Sequence, residues 1–144
     1  MESIENENLL TEVTKEDINN GIEDEFGVVY SADGKRLLKC KSEKLMSYVI
    51  KEGTQVICNS AFDDCVSLQQ ITIPDSVTSI GDFAFECCDS LRQINIPDSV
   101  TYISDEAFAW CESLQQIIIS KGTTEKFKKM LDVDFWNKLI ENQQ

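Results

Sequence analysis

Six cysteines are the residues of this 144-residue chain with the widest range of chemistry, because a thiol can pair, bind metal or act as a nucleophile. Cys65, Cys88 and Cys111 recur at equal intervals along the chain. Equal intervals predict stacking in successive coils, at about 4.8 Å with parallel Cβ vectors. A disulfide needs Cβ atoms about 3.8 Å apart that point toward each other. The spacing therefore favours a buried column of free thiols that bond weakly to turn carbonyls.

The other three cysteines, Cys40, Cys58 and Cys87, lie outside this column. Cys87 has Asp64 and Trp110 as its counterparts in the neighbouring repeats, which predicts exposure. The absence of any C-x-x-C pair argues against zinc and thioredoxin-type sites. Free thiols in this number suit a reducing compartment. A redox role for one of these three remains an alternative.

The chain contains no histidine, so it lacks the Ser-His and Cys-His nucleophile pairs, a histidine base and imidazole metal ligands. Among its acids, Asp75 with Asp98 and Asp82 with Asp105 repeat at the same interval as the cysteines. Turn aspartates of this kind bond to their own backbone. Stacked carboxylates that bind calcium weakly are a minor alternative. We expect no enzyme, no catalytic or metal-binding residues and no cofactor.

These residues are positioned by a repeat. Segments 50–72, 73–95 and 96–118 align without a gap, and a fourth begins at Ile119. Each carries the pattern L-x-x-I-x-I, which predicts a short strand whose alternate side chains point inward. Leu45, Tyr48 and Ile50 fit the same columns and predict a further strand before the first full repeat. The pattern is formed by Leu68, Ile71, Ile73, Leu91, Ile94, Ile96, Leu114, Ile117 and Ile119.

A second apolar set follows each strand, as in Val77, Ile80, Ala84 and Phe85. One repeat alone cannot enclose these side chains, but stacked repeats bury them between two walls. The sequence therefore predicts an α/β repeat solenoid, a short right-handed coil of 23-residue leucine-rich repeats with parallel strands. Its ends need caps, because an array leaves an apolar face open at each end.

The motif AF-x-x-C-x-SL-x-x-I-x-IP-x-S-V-x-x-I resembles the BspA-like class of leucine-rich repeats, also called the Treponema pallidum type. The resemblance covers roughly Leu45 to Ser120, and the flanking segments look like the terminal pieces of short relatives from gut Bacteroidetes. It implies a leucine-rich-repeat fold and a role as an adhesin or surface binder. No catalytic residues come with the motif.

Four segments are predicted: an acidic leader over 1–26, partly helical or disordered, a hairpin cap over 27–44, repeats over 45–120 and a helical cap over 121–144. Asp33-Gly34 between strand-like runs predicts a hairpin from Val28 to Leu38 that packs over the first coil. Thr14 and Asp17 fit the start of a short helix. In the last segment, Thr123 or Thr124 caps a helix to about Leu131, and Asp134 to Ile140 gives a second. A partner-binding role for these helices is the alternative to closing the core.

The net charge of −13 is uneven, since residues 1–26 carry nine acids and one base. This balance argues against nucleic acid and anionic membranes as partners. No apolar run reaches the length of about 20 residues that spans a bilayer. The segment from Met1 to Asn20 lacks the basic-then-apolar layout of a signal peptide. We expect a cytoplasmic location for the sequence as it stands, or the cell surface if an export signal was removed.

Two sets of residues are candidates for binding a protein partner of unknown identity. The exposed positions of the strands give a neutral, amide-rich face, made of Gln70, Thr72, Gln93, Asn95, Gln116 and Ile118. The aromatics Phe83, Tyr102 and Trp110 lie outside the core columns, and exposed aromatics mark contact sites. We expect a non-catalytic protein-binding module, adhesin-like or a scaffold. The alternative is a structural or self-associating fragment of a longer repeat protein.

Overall fold

A computed structural model describes residues 10–142 of the chain. Most of its elements are strands of two to five residues, because each coil of the chain crosses a wall only briefly before it turns. In chain order the elements are α1 (Lys15–Asn19), β1 (Ile22–Glu23), β2 (Val28–Tyr30), β3 (Arg36–Cys40), β4 (Ser47–Val49), β5 (Val56–Ile57), β6 (Gln70–Thr72), β7 (Ser79–Ile80), β8 (Gln93–Asn95), β9 (Tyr102–Ile103), β10 (Gln116–Ile119), α2 (Thr124–Lys128), a 3-10 helix (Val133–Lys138) and β11 (Leu139–Glu141).

The strands form two walls with parallel pairing between successive coils. In the strand wall, β4 pairs with β6, and β10 pairs with β8 on one side and with β11 on the other. In the outer wall, β5, β7 and β9 pair in parallel, with Val56 opposite Ser79 and Ser79 opposite Tyr102. The predicted parallel strands, including a strand at Tyr48, are confirmed.

The N-terminal hairpin extends the outer wall. β2 pairs antiparallel with β3, and β3 continues in parallel onto β5, with Arg36 opposite Val56. Gly34, with φ of 76°, donates its N–H to the carbonyl of Ser31 in the turn. The predicted hairpin is therefore present, and its strand β3 pairs edge to edge with β5 of the first coil.

The segment before the hairpin packs on the outside of this wall. Thr14 caps α1, because its Oγ1 accepts from the N–H of Asp17 and its N–H donates to the Asp17 carboxylate, both at 3.0 Å. Val13 and Ile18 pack on a small cluster that includes Leu38 and Cys58. The predicted cap at Thr14 is confirmed, and residues 1–9 of the predicted leader lie outside the described residues.

The C-terminal prediction is confirmed in part. The first helix ends at Lys128, three residues before the predicted Leu131. The second is a 3-10 helix over Val133–Lys138, and the prediction is wrong for its last residues, which form strand β11. Ile117 lies opposite Leu139 in this parallel pair. The strand forms because the open edge of β10 offers backbone partners, and buried or edge backbone groups seek them.

Between the two walls, successive coils place the same type of side chain at the same position of the core. The rings of Phe62, Phe85 and Phe108 stack, with centroids 5.4 and 5.6 Å apart. Tyr48 continues the column toward the N-terminus and Phe135 toward the C-terminus. These five rings therefore form a continuous aromatic column through the core, along the array.

Gly81 holds two coils at close approach. A Cβ built there would lie 2.8 Å from the backbone nitrogen of Asn59 and would also meet its Oδ1, which accepts from the N–H of Asp82 at 2.7 Å. We expect Gly81→Ala to lower the free energy of unfolding by about 2 kcal/mol or more, as overpacking does. Chemical denaturation measures this. Gly34→Ala is the control, because its turn has open space and only a positive φ, which costs about 1 kcal/mol. Equal losses for the two variants would contradict the steric explanation.

Candidate interaction surfaces

The outward side chains of the strand wall form a regular polar face. Gln70, Thr72, Gln93, Asn95 and Gln116 are exposed, and Ile118 is half-buried. Their neighbours along each strand, such as Ile71 and Ile94, are buried. This alternation follows from the two-residue period of a strand. The six predicted strand residues therefore lie together on one surface, here called the strand face.

Two grooves cross the strand face. The first has a volume of about 600 Å³ and is lined by Gln69, Gln70, Asp89, Ser90, Arg92, Gln93 and Ser113. The second, of about 250 Å³, includes Thr72, Asn95, Ile118, Asp75, Ser120 and Asn142 in its lining. All but one of the six strand-face residues line a groove, and Gln116 is paired in register with Gln93. Arg92 and Asp89 were not among the predicted site residues, because they precede the strands in the turns.

The strand face is suited to recognition by hydrogen bonds. A side-chain amide carries both donors and an acceptor, and an arginine adds donors with fixed geometry. Rows of amides one strand spacing apart can therefore pair with the polar groups of a protein surface. The first groove combines amides and hydroxyls with the opposite charges of Asp89 and Arg92, and the second combines polar groups with isoleucines, so both offer hydrogen-bond donors and acceptors.

The three off-pattern aromatics lie outside the strand face, and each belongs to a different turn or strand. Phe83 and Trp110 are in the turns that lead from the outer wall to the strand wall, at 36% and 70% exposure. Tyr102 is half-buried in β9. At its exposure of 70%, Trp110 is not covered by residues 121–142 of the C-terminal segment. The predicted residues thus divide into the strand face, the turn aromatics Phe83 and Trp110, and Tyr102 on the outer wall.

The turn aromatics adopt an unusual backbone conformation. Phe83 has a φ of 58° and Trp110 of 62°, in the left-handed region that is costly for bulky side chains. Asp64 and Cys87, the counterparts of Trp110, share this conformation. The repeat imposes the turn, and no glycine or asparagine in the column signals it.

Acidic side chains surround these turns. Burial raises the pKa of Asp63, and the neighbouring Asp64 raises it further. Burial also raises the pKa of Glu86, followed by the repulsion of Asp63 and Asp64. The carboxylates of adjacent coils therefore repel each other where they are ionised, at neutral pH.

The thiols of the repeat form the predicted column. The sulfur of Cys88 donates to the carbonyl of Phe62 at 3.2 Å, and that of Cys111 to the carbonyl of Phe85 at 2.8 Å. Cys65 bonds in the same way to Ser42, and all six thiols are free. Cys87 is half-buried. Cys40, which is outside the repeat, shares the Ser42 carbonyl with Cys65, and the repeat spacing did not reveal this contact.

Residues 10–142 match neither of two further patterns, a metal-binding cluster and a membrane-spanning helix. Over this range no group of three or more thiol or carboxylate residues is arranged to hold a metal ion. Within the same range, no helix is both long and apolar enough to span a bilayer.

Comparison with known proteins gives a family and several structural neighbours. Residues 39–135 match the model of the BspA type leucine rich repeat region, in six copies. No curated protein matches the chain. The solved structures that resemble it include leucine-rich repeat proteins from Eubacterium ventriosum and Bacteroides capillosus.

The E. ventriosum protein is 24% identical with a TM-score of 0.64, over 77% of this chain and 30% of that one. The B. capillosus protein is 25% identical with a TM-score of 0.56, over 70% of this chain and 72% of that one. A leucine rich cell surface protein from Faecalibacterium prausnitzii is 22% identical with a TM-score of 0.51, over 87% and 43%. The chain therefore spans less than a third of the first of these neighbours. The similarities to the Eubacterium and Faecalibacterium proteins support the fold alone.

Proposed function

Because the chain belongs to the BspA-type leucine-rich-repeat family, we propose that it is a non-catalytic protein-binding module, adhesin-like or a scaffold. The observation that carries this proposal is the strand face, where exposed amides line two adjoining grooves. Buried isoleucines beneath these amides fix the backbone that presents them. A rigid polar surface binds without the ordering cost of a flexible loop.

We propose that the terminal segments cap the two ends of the array of 23-residue repeats and so keep the binding surface folded. The hairpin at 27–44 covers the first coil through Tyr30, whose hydroxyl hydrogen-bonds that of Tyr48 at 2.6 Å. The segment at 121–144 buries Phe127 and Leu131. We assign the repeats to 45–120 and the acidic leader to 1–26. An array of so few coils needs both caps to stay folded by itself.

Phe83 and Trp110 are proposed as a second contact surface. The repeat fixes the left-handed turn, so these bulky side chains are held in solvent on a defined backbone. Trp110 is 70% exposed, so most of its ring contributes nothing to the core. A partner that covers these rings would gain apolar contact, which is how aromatic hot spots act. Tyr102 remains a weaker candidate, since it is half-buried.

We propose the cell surface as the place where the module acts, because the match to the BspA-type family implies an adhesin or surface binder. The Faecalibacterium neighbour, which shares the fold, is described as a cell surface protein. The partner is then a protein, in keeping with an acidic chain that suits neither nucleic acid nor anionic membrane. Self-association of a repeat fragment is the competing proposal. The position of β11 at the end of its sheet, over the described residues, favours it, because strands at the end of a sheet are templates for pairing.

The test compares matched variants in a protein capture experiment. Gln93→Arg with Gln116→Arg adds two charges to the strand face at neighbouring coils. Thr78→Arg with Thr101→Arg adds the same charges, one repeat apart, on the outer side of the coil, where both threonines are exposed. We expect the wild type and the Thr78/Thr101 control to retain the same proteins. The strand-face variant should retain these proteins at least about tenfold less, which corresponds to a loss of about 1.4 kcal/mol in binding free energy.

Phe83→Ser with Trp110→Ser forms the second arm. Loss of the same proteins with this variant alone would move the binding site to the turns. Retention of identical proteins by all variants would contradict specific binding by either surface. Concentration-dependent light scattering that these variants leave unchanged, with no protein retained, would support self-association through the strand edge instead.

A further inference from the structure

Two thiols from different parts of the chain meet at the N-terminal end of the array. Cys40 ends β3, and Cys65 lies in the turn that follows Phe62 in the first full coil. The Cys40 sulfur is 3.6 Å from the carbonyl oxygen of Ser42, and the Cys65 sulfur is 3.8 Å from the same oxygen. The sulfurs are therefore neighbours, bound to one shared acceptor.

The geometry of this pair is not that of the repeat. Cys65, Cys88 and Cys111 occupy one position of successive parallel coils, so their Cβ vectors are parallel and unsuited to a disulfide. Cys40 comes from the hairpin, and its separation from Cys65 along the chain differs from the repeat interval. Its N–H donates to the carbonyl of Ala61 at 2.7 Å, whereas that of Cys65 donates to Phe62 at 3.1 Å. Because the two backbones are held differently, their Cβ vectors are not bound to be parallel.

Cys40 is the less buried thiol of the pair, with an exposure of 7% against 2% for Cys65. Its residue is also one of those that line a surface cavity of about 370 Å³, together with Lys39, Asn59, Ser60 and Asp63. We therefore expect an oxidant to meet Cys40 before Cys65.

We propose that Cys40 and Cys65 form a reversible disulfide, with a low-molecular-weight disulfide as the oxidant. The Cys40 thiolate attacks one sulfur of the oxidant, whose S–S bond breaks and releases one thiolate. The Cys65 sulfur then loses its proton to solvent, attacks the Cys40 sulfur of the mixed disulfide and releases the second thiolate. The two cysteines give up two protons and two electrons in total, and the oxidant is reduced to two thiols.

The ionisation of the pair suits these roles. The interaction with the neighbouring Cys65 thiol lowers the pKa of Cys40 to about 7, against the opposing effect of burial. The interaction with Cys40, together with burial, raises the pKa of Cys65. Cys40 is therefore the thiol that ionises near neutral pH and attacks first, since the thiolate is the nucleophile.

The disulfide would join the N-terminal hairpin to the first coil. The closed loop from Cys40 to Cys65 contains β4 and β5, one strand of each wall. Cross-linking a loop of this length stabilises a fold mainly by restricting the unfolded chain. Oxidation would therefore fasten the N-terminal end of the array without altering the strand face, independently of what that face binds.

The experiment treats the full chain with oxidised glutathione under native conditions. We expect a loss of two hydrogens by mass spectrometry, a peptide map that links residues 40 and 65, and a melting temperature higher by roughly 5 to 10 °C. Dithiothreitol should reverse all three changes. Cys40→Ser should abolish the link, and Cys87→Ser, which removes the half-buried thiol outside the column, should leave it intact.

The peptide map of the wild type decides the proposal even if Cys40→Ser does not fold. A link between residues 88 and 111, cross-linked dimers, or a mixed disulfide on Cys40 that never resolves would overturn it. So would a 40–65 link that forms only in denaturant or that lowers the melting temperature, because either result would mean that the folded chain holds the two sulfurs apart.

Discussion

Phe85→Ala is expected to lower the free energy of unfolding by about 3–5 kcal/mol, the cost of truncating a buried phenylalanine. Phe85 is fully buried at the centre of the aromatic column, with Phe62 stacked on one side and Phe108 on the other. Each coil contacts only its neighbours, so a cavity at this position weakens both interfaces of the central coil. Urea denaturation followed by circular dichroism measures the loss. A domain of ordinary stability would retain little of its folded population.

Phe85→Leu is the matched control, since it keeps an apolar side chain at the site and removes the ring. We expect it to lose about 1–2 kcal/mol, from the stacking of the rings and imperfect filling of the space. A loss below about 1 kcal/mol for Phe85→Ala would contradict the view that the column supports the array. Equal losses for the two variants would instead assign the effect to stacking alone.

The repeated part of the fold could be predicted because the sequence states its pattern several times. The isoleucines and phenylalanines occur at the same positions in each coil. A column such as Phe62, Phe85 and Phe108 therefore gives the same signal three times, which outweighs the secondary-structure propensity of any one segment. The alternation of buried Ile94 with exposed Gln93 follows directly from strand geometry. The strand face was predictable for the same reason.

The ends of the array could not be predicted in the same detail, because their structure depends on distant partners. Residues 139–141 form a strand only because β10 offers an open edge, and the local sequence favoured a helix there. The hairpin was signalled by Asp33-Gly34, but its pairing onto β5 was not. Tertiary pairing overrides local propensity most easily in short segments.

The candidate sites differ in the same way. Exposure of Trp110 was predictable from its column, while its left-handed backbone was not, since that column contains no glycine or asparagine to mark such a turn. The contact of Cys40 with Cys65 depends on how the hairpin meets the first coil. Arg92 was missed because it lies in a turn, outside the strand columns that the pattern defines. Features at the junctions between repeat and cap therefore need the structure to be seen.

Phe127→Ala is expected to cost about 3–5 kcal/mol and to act from the C-terminal end of the array. Phe127 is the fully buried residue of α2 and belongs to the main core, where Leu131 lies with it. Because an array covers its last coil only with the terminal segment, loss of this ring would expose apolar groups next to β10. Denaturation gives the total loss, and hydrogen exchange gives its location.

The location distinguishes a cap from ordinary core packing. Amide protection should fall first at Ile117 and Ile119 and last at Tyr48, at the other end of the column. Trp136→Ala is the control from the same segment, because Trp136 is partly exposed and bonds to the carbonyl of Leu131 at 3.0 Å. It should cost about 1 kcal/mol, near the value of one hydrogen bond. Equal loss of protection at both ends after Phe127→Ala would show that the coils unfold as one unit, and the C-terminal segment would then be one more layer of the core rather than its cap.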